Sequence, residues 1–374
     1  MFAKPGKIGN IEIKNRFVRS ATYEGLATED GEITDRLVEF YKILSEGGCG
    51  LIITSHAYVQ PNGRAGKKQI AAYKDDFIKG IKRIADIIHK TNAECKVALQ
   101  LSHAGRQIRE KDRDIVAPSA VLEGYTKNMP RELTISEIEK TIEAFAQAIR
   151  RAKEAGFDAI ELHGAHGWLI SEFLSPYTNK RKDEYGGNTN NRIRFVEEIY
   201  RESRKLVGDD FPILIKMNCD DFLDGGITLE ESKKIAKKFS DLGFDAIEVS
   251  SCMWETVRRK KKEIGWKPVH IPESRLSIGT VNKAAYNRPH AKEIKKCIDI
   301  PLILVGGINS IDLVEDILAT KDADFVSFSR PLVREPDLPN RWIKGIGSRK
   351  VECDYCNNCF FTLSKEGLHC PKKC

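Results

Sequence analysis

One hexapeptide occurs twice in this sequence: GFDAIE at residues 156–161 and again at residues 243–248. A looser version, DADFV, occupies residues 322–326. In the first two copies a glycine suited to ending a helix is followed at once by an apolar, strand-like run. Upstream of the first copy, Thr134-Ile135-Ser136-Glu137 predicts a helix start with a capping box. Each repeat therefore indicates a helix that turns directly into a buried strand.

Short apolar runs alternate with amphipathic, helix-length stretches over most of the chain. Nearly continuous apolar character is typical of parallel strands that are buried on both faces. Repeated helix–strand joints favour the α/β class and a (β/α)8 TIM barrel; the alternative, a doubly wound sheet, lacks a G-x-G-x-x-G after its first strand. Residues 7–14, turning at Gly9-Asn10, predict an N-terminal hairpin. The eight candidate strands lie at residues 17–21, 50–54, 96–101, 158–162, 213–217, 245–249, 302–305 and 324–328.

Composition narrows the class of protein. The chain has 374 residues, 41% hydrophobic and 31% charged, with a net charge of +7. This is a globular balance, and no apolar run approaches the ~20 residues of a membrane span. The N-terminus lacks a signal-peptide core, so we expect a cytoplasmic protein without a membrane or nucleic-acid partner. The one basic run, RRKKK at 258–262, is typical of a solvated surface; a phosphate-bearing substrate or an acidic redox partner is the alternative.

The cysteines are unevenly placed. Five of the ten fall within the last 22 residues. In a cytoplasmic chain such a cluster indicates metal rather than disulfides. We therefore expect a barrel at residues 1–345 and a Cys-rich tail at 346–374. Four thiolates at this spacing suit a [4Fe–4S] cluster or zinc, and a tail without metal stays open. The candidate ligands are Cys353, Cys356, Cys359 and Cys370, with Cys374 as an alternative.

Barrel enzymes place their chemistry at the carboxyl ends of the strands. Gly306-Gly307 follows the seventh candidate strand and Ser329-Arg330 the eighth, the usual location of a phosphate site in this fold. Glycines let backbone N–H groups approach an anion, and an arginine adds a bidentate contact. The alternative is a simple glycine turn beside a surface arginine.

Other strand ends carry polar side chains. A glutamine amide both donates and accepts, so Gln100 can match a pyrimidine-like edge. A fixed charge at Lys216 would stabilise a ligand that becomes anionic; both residues could instead be satisfied buried polar groups. His163 and His166, around a glycine-rich turn, can place two N–H donors on one oxygen. A metal pair is the weaker interpretation, because no third ligand accompanies them, and structural histidines are the remaining one.

Several longer motifs of this sequence resemble those of a known protein family. They are NRFV at 15–18, LQLSHAGR at 99–106, ELHGAHGWLISEFLSPYTNKRKDEYGGNTNNRIRF at 161–195, VGGI at 305–308 and FSRP at 328–331. Together they resemble the Old Yellow Enzyme family of FMN oxidoreductases over roughly residues 1–345. The resemblance implies FMN as cofactor and NADH or NADPH as hydride donor. It also implies reduction of activated C=C bonds of α,β-unsaturated carbonyl compounds by ping-pong hydride transfer through FMN.

The resemblance also implies roles for individual residues. His163 and His166 would hold the carbonyl of the acceptor. Gln100 would bind the flavin pyrimidine, and Lys216 would lie beside flavin N1. The remaining cofactor residues would line the flavin ring (Ser20, Ala21, Thr22 and His56) or bind the FMN phosphate (Gly306, Gly307, Ser329 and Arg330).

The chain departs from the family at the expected proton donor. Many relatives have a tyrosine two residues after the second histidine, and this chain has Trp168, which we place on the substrate side. An indole N–H is no usable acid at neutral pH. Tyr23, another tyrosine or solvent would then supply the proton, or the reaction needs none. The long segment 250–292 is expected over the active site, with Trp254, Trp266 and Tyr286 as candidate lining residues.

The Cys-rich tail resembles that of the 2,4-dienoyl-CoA reductase and trimethylamine dehydrogenase branch. It therefore keeps a second hypothesis open: an amine dehydrogenase or demethylase that passes electrons from FMN to an iron–sulfur cluster and on to a redox protein partner. A third hypothesis is a non-catalytic flavin- or metal-binding redox-partner protein. The substrate would be a small unsaturated carbonyl compound or an amine, and the chain could form a homo-oligomer.

Overall fold

The computed structural model describes residues 1–108, 113–269, 271–276, 278 and 283–372. In this part of the chain, eight parallel strands form a closed barrel, in which the last strand pairs with the first. All eight predicted strands are confirmed. The barrel strands are β3 (Phe17–Arg19), β4 (Leu51–Tyr58), β5 (Lys96–Ser102), β8 (Ala159–Gly164), β9 (Ile213–Asn218), β10 (Ala246–Ser250), β11 (Leu302–Val305) and β12 (Phe325–Phe328); β1 (Gly6–Ile8) pairs with β2 (Ile11–Ile13), and β6 (Val116–Ala117) with β7 (Arg131–Glu132).

Helices cover the outside of the barrel. The predicted capping box is present, because Thr134 Oγ1 accepts from the Glu137 backbone N–H and the Glu137 carboxylate accepts from the N–H of Thr134. Gly156 follows the end of this helix at φ +80°, in the left-handed region that glycine favours. The helices are α1 (Asp35–Glu46), α2 (Ile78–Thr91), α3 (Ile135–Glu154), α4 (Leu169–Leu174), α5 (Thr189–Val207), α6 (Leu229–Leu242), α7 (Lys261–Ile264), α8 (Arg288–Lys295), α9 (Ile311–Ala319), α10 (Arg330–Arg334) and α11 (Leu338–Ile343).

The N-terminal hairpin is also confirmed. Its strands β1 and β2 are antiparallel. Ile8 and Ile13 are fully buried and belong to a cluster with Val18 and Phe325, which lie on barrel strands. The hairpin therefore fills the amino-terminal end of the barrel and leaves the carboxyl-terminal end for a site.

Strand β4 is longer than its predicted counterpart. The apolar run predicted an end at residue 54, but pairing with β5 continues to Tyr58. Between Ile53 and His56 the register shifts, as in a β-bulge. Bulges bend a strand and re-aim its side chains, so this one sets the direction of His56.

The tail lies against the barrel. Backbone and side-chain hydrogen bonds join Val351 to Asn309, Tyr355 to Ile308 and Leu368 to Glu24. Among the described residues, the helices are all too short or too polar to cross a bilayer.

Candidate active site

A cavity of about 990 Å³ opens at the carboxyl-terminal end of the barrel. It is at the large end of the range for small-molecule and cofactor sites. The structure brings together here every residue predicted to hold flavin, acceptor or proton. Its lining includes Ser20, Ala21, Thr22, Tyr23, His56, Gln100, His163, His166, Trp168, Lys216, Gly306, Gly307, Ser329 and Arg330.

A buried charge network surrounds Lys216. Its Nζ lies 2.8 Å from a carboxylate oxygen of Glu248 and 3.7 Å from one of Glu161, and it donates to Ser20 Oγ at 3.2 Å. Gln100 donates to Glu161 from the neighbouring strand. The sequence reasoning missed both glutamates, although each is the last residue of a repeated GFDAIE hexapeptide. A charged residue inside a buried apolar run was the available signal.

Burial and mutual attraction decide the charges of this network. Burial raises the pKa of Glu161 well above its usual range. Burial alone would lower the pKa of Lys216, but the carboxylates of Glu248 and Glu161 outweigh burial, and the net pKa is raised. Burial alone would likewise raise the pKa of Glu248, but Lys216 holds it below its usual value. The stable arrangement is a Lys216–Glu248 ion pair beside a neutral Glu161.

The two histidines lie side by side. His163 is the penultimate residue of β8, His166 lies in the following turn at φ +62°, and their ring centroids are 5.1 Å apart. His166 Nε2 is 2.7 Å from Ser250 Oγ. His163 Nδ1 is buried and has no hydrogen-bond partner among the described residues.

Both histidines are neutral at physiological pH. Burial lowers the pKa of His163 well below its usual value, and neighbouring His166 and Lys216 add to the effect. Burial, followed by Lys216, does the same to the pKa of His166. The pKa of His56 falls to about 4, again through burial and then Lys216. A neutral imidazole offers one N–H donor, so the pair can hold an oxygen without adding net charge.

Aromatic rings line part of the cavity. Trp168 lies 5.2 Å from His56 and 5.4 Å from Trp254, centroid to centroid. Trp254 and Tyr286 line the cavity as expected. The expectation for Trp266 was wrong: its ring is absent from the lining and instead stacks with Arg275, whose guanidinium carbon is 4.1 Å from the ring centroid.

Tyr23 lines the cavity. Its ring meets His56 edge-on at 5.8 Å, and its hydroxyl donates to the backbone carbonyl of Lys67. The ring therefore lies beside a histidine of the cavity, and the hydroxyl proton is held by a main-chain carbonyl.

The predicted phosphate end has the geometry of an anion cradle. Gly306 and Gly307 have φ of +120° and +74°, and a Cβ on Gly306 would lie 2.7 Å from the ring of Tyr286. Only glycine fits there. Ser329 Oγ is 2.8 Å from Thr22 Oγ1, and Arg330 lies beside it. With the Gln100 amide and the Lys216 charge at the other end, the donor set fits FMN.

The tail thiols do not form a metal site in the described part of the chain. No three His, Cys, Asp or Glu side chains come together there as ligands. Burial raises the pKa of Cys353 and of Cys359 to about 11, which favours protonated thiols. Cys356 lines the cavity, and Cys374 lies outside the described residues.

The fold and the cavity define a class, the flavin-binding (β/α)8 barrels. Comparison with known proteins gives the family: residues 1–348 match the NADH:flavin oxidoreductase / NADH oxidase family, and the chain belongs to it. This is a family of FMN-dependent oxidoreductases. The resemblance, the barrel and the FMN-dependent class are thus confirmed.

Two curated relatives and one solved structure differ in how much of their length this chain covers. The chain is 39% identical to an NADH oxidase of Thermoanaerobacter brockii, covering 94% of this chain and 52% of that protein. It is 36% identical to an NADPH dehydrogenase of Geobacillus sp. strain WCH70, covering 93% and 95%. A 2-naphthoyl-CoA reductase in complex with 2-naphthoyl-CoA superposes with a TM-score of 0.86 at 28% identity, covering 97% and 55%. The chain thus spans about half of two relatives and nearly all of the third.

Proposed function

We propose that the protein uses NADH or NADPH to reduce activated C=C bonds of α,β-unsaturated carbonyl compounds, with FMN as cofactor. The observation that carries the proposal is the pair of histidines in the cavity lining, whose ring centroids are 5.1 Å apart and whose pKa values burial holds well below the usual range. A neutral imidazole offers one N–H donor, and two such donors can bind one carbonyl oxygen and polarise it.

FMN, when bound, supplies hydride chemistry between the nicotinamide and the acceptor. The chain would hold its phosphate with Gly306, Gly307, Ser329 and Arg330. Gln100 would pair with the pyrimidine edge, and Lys216 would offset negative charge there. The Lys216–Glu248 pair and the neutral Glu161 keep that charge fixed inside the barrel.

The histidine pair would orient and polarise the acceptor. N–H donors aimed at a carbonyl oxygen draw electron density from the conjugated double bond, which activates its β-carbon. Ser250 fixes the ring of His166 through its hydroxyl. Trp168 and Trp254 would exclude water on the substrate side. Tyr23 is the proposed source of the α-carbon proton.

The test combines two half-reactions under anaerobic conditions. NADH or NADPH should bleach the flavin absorbance, and 2-cyclohexen-1-one should restore it. His163→Ala should slow the second half-reaction by roughly 10²- to 10³-fold, because one oxyanion donor is lost. His163→Asn, which keeps an N–H, should be less impaired, and His89→Ala, outside the cavity lining, should behave as wild type.

Two results would overturn the proposal. A flavin that NAD(P)H bleaches but no enone restores would contradict C=C reduction. A flavin that ignores NAD(P)H but bleaches with an N-methyl amine would support the amine dehydrogenase hypothesis. The comparisons do not favour that hypothesis or the non-catalytic one, since the curated relatives above are an NADH oxidase and an NADPH dehydrogenase.

The tail metal stays a prediction from the sequence. The proposed ligands are Cys353, Cys356, Cys359 and Cys370, with [4Fe–4S] or zinc as the metal. Iron, acid-labile sulfide and zinc analysis of anaerobically purified protein decides between them. A redox protein partner, a homo-oligomer and a cytoplasmic location likewise stay predictions.

A further inference from the structure

Two residues of the tail contact three loops at the predicted phosphate end of the cavity. Tyr355 Oη donates to the backbone carbonyl of Ile308, directly after Gly306-Gly307 (2.6 Å). Asn357 Nδ2 donates to the carbonyl of Ser274, in the long segment after β10 (2.8 Å). Both side chains also contact Arg330, which follows β12. The tail therefore ties together the loops that follow the sixth, seventh and eighth barrel strands.

Arg330 is held from two directions. Its Nη1 donates to Asn357 Oδ1 at 2.6 Å and to the carbonyl of Arg275 at 2.9 Å. Its guanidinium carbon lies 4.7 Å from the centroid of the Tyr355 ring. Tyr355 and Asn357 are buried, and both line the cavity. One nitrogen of the guanidinium is thus saturated, and its plane is fixed against an aromatic face.

We propose that Tyr355 and Asn357 are positioning residues of the cofactor site, which orient Arg330 for the FMN phosphate. The inference rests on the proposed FMN site and adds to it two residues beyond the family match, which ends at residue 348. The tail would then complete the phosphate site whether or not it binds metal.

The chemistry of Asn357 supports this role. A guanidinium binds phosphate best when its planar fork is already oriented, because less side-chain freedom is lost on binding. An amide oxygen orients Arg330 and leaves its positive charge available for the phosphate. A carboxylate at the same place would form an ion pair with Arg330 and compete with the phosphate. The side chain at 357 therefore suits holding an arginine for a second, anionic partner.

The experiment measures dissociation constants of FMN and of riboflavin, the same ring system without phosphate, with full-length apoprotein. Asn357→Asp and Asn357→Ala should each weaken FMN by about 10- to 100-fold, the range for one hydrogen bond to a charged group. Riboflavin binding should stay unchanged, so the FMN-to-riboflavin selectivity falls. Tyr355→Phe keeps the ring and loses one hydroxyl, so its effect should be smaller.

Matched controls show whether Asn357 acts by orienting Arg330 or only by stabilising the fold. Asn358→Ala changes the next residue, which is outside the cavity lining, and should leave selectivity intact. In an Arg330→Ala background, Asn357→Ala should have no further effect on selectivity if it acts through Arg330. Thermal unfolding of each apoprotein shows whether the variant folds.

The outcomes are distinct. Equal weakening of FMN and riboflavin by the Asn357 substitutions, or no weakening of either, would overturn this inference alone. Additive effects of Asn357→Ala and Arg330→Ala on selectivity would overturn it as well. Wild-type protein that binds FMN no better than riboflavin would overturn the phosphate site, and wild-type protein that binds neither would overturn the proposed function.

Discussion

At the residue scale, the centre of the site is a lysine between two glutamates. Glu248 lies opposite Lys216 on the adjoining strand, and a carboxylate oxygen of Glu161 lies 3.7 Å from the Lys216 Nζ. Three ionisable groups so close cannot all be charged without a net charge inside the protein. The network avoids that cost with a neutral Glu161.

This arrangement predicts unequal effects of two similar substitutions. Glu161→Gln resembles the protonated carboxyl and should change the free energy of unfolding at neutral pH by about 1 kcal/mol or less. Glu248→Gln removes the carboxylate that pairs with Lys216 and should cost up to about 3–5 kcal/mol. Urea unfolding of the two apoproteins measures the difference. Equal losses, or a larger loss for Glu161→Gln, would contradict the assigned charges.

His103 predicts a dependence of stability on pH. Burial lowers its pKa to about 3, and its Nδ1 accepts from the backbone N–H of Gly105. The unfolded chain takes up a proton near pH 6.5 while the folded protein does not, so stability falls as pH drops below about 6.5 and continues to fall towards 3. His103→Asn, which keeps an acceptor, should lose about 2 kcal/mol less than wild type between pH 7 and pH 5. Parallel pH profiles of wild type and variant would contradict the prediction.

Tyr23 predicts a kinetic effect. Tyr23→Phe removes the hydroxyl but keeps the ring against His56. If Tyr23 protonates the α-carbon, reoxidation by an enone should slow by about 10²-fold or more, the usual contribution of a general acid, while reduction by NAD(P)H should not change. Stopped-flow absorbance separates the two steps. An unchanged enone step would exclude Tyr23 as the proton donor.

At the element scale, the sequence predicted all eight barrel strands because buried parallel strands are apolar on both faces. The start of α3 was predictable for a similar reason, since its capping box is a local pattern. The end of β4 was not predictable, because it includes the polar residues Ser55 and His56. Pairing with β5 resumes at His56 after a bulge, which apolar periodicity does not record.

The position of the β1–β2 hairpin predicts that a substitution there lowers the free energy of unfolding without weakening FMN binding. Ile8→Ala removes a fully buried side chain at the amino-terminal end of the barrel and should lower the free energy of unfolding by about 2–5 kcal/mol. The dissociation constant of FMN should stay within the error of wild type, because the cavity lies at the other end. Ile11→Ala, at a partly buried position of the same hairpin, is the control and should cost less. Weaker FMN binding in Ile8→Ala would contradict this separation.

At the scale of the whole molecule, the residues of the cavity were predictable where family motifs and strand ends coincide. The contributions of the tail were not. Tyr355 and Asn357 lie between cysteines, which drew the interpretation to metal, and their contacts to Ile308 and Ser274 join segments remote in sequence. No local pattern records a contact of that kind. For the same reason, the sequence could not show that Trp254 lines the cavity and Trp266 does not.

The basic run at 258–262 is partly engaged within the molecule. Arg258 donates to the carbonyl of Gly124, and Arg259 pairs with Asp224 and Glu263. None of the run lines the cavity. A partly paired surface cluster fits the solvated interpretation of this run.

Closure of the barrel also constrains how the protein is made. The first barrel strand, β3, pairs with the last, β12, and Arg19 donates to the carbonyl of Ser329, 310 residues away. At ribosomal rates of roughly 5–20 residues per second, roughly 15–60 s pass before the nascent β3 meets its partner. During that interval the unpaired edge of β3 is only three residues long, so it offers other chains few backbone groups with which to pair and aggregate. Ser329 and Arg330 directly follow the closing strand, so flavin uptake in the cell would report that synthesis and folding of the barrel are complete.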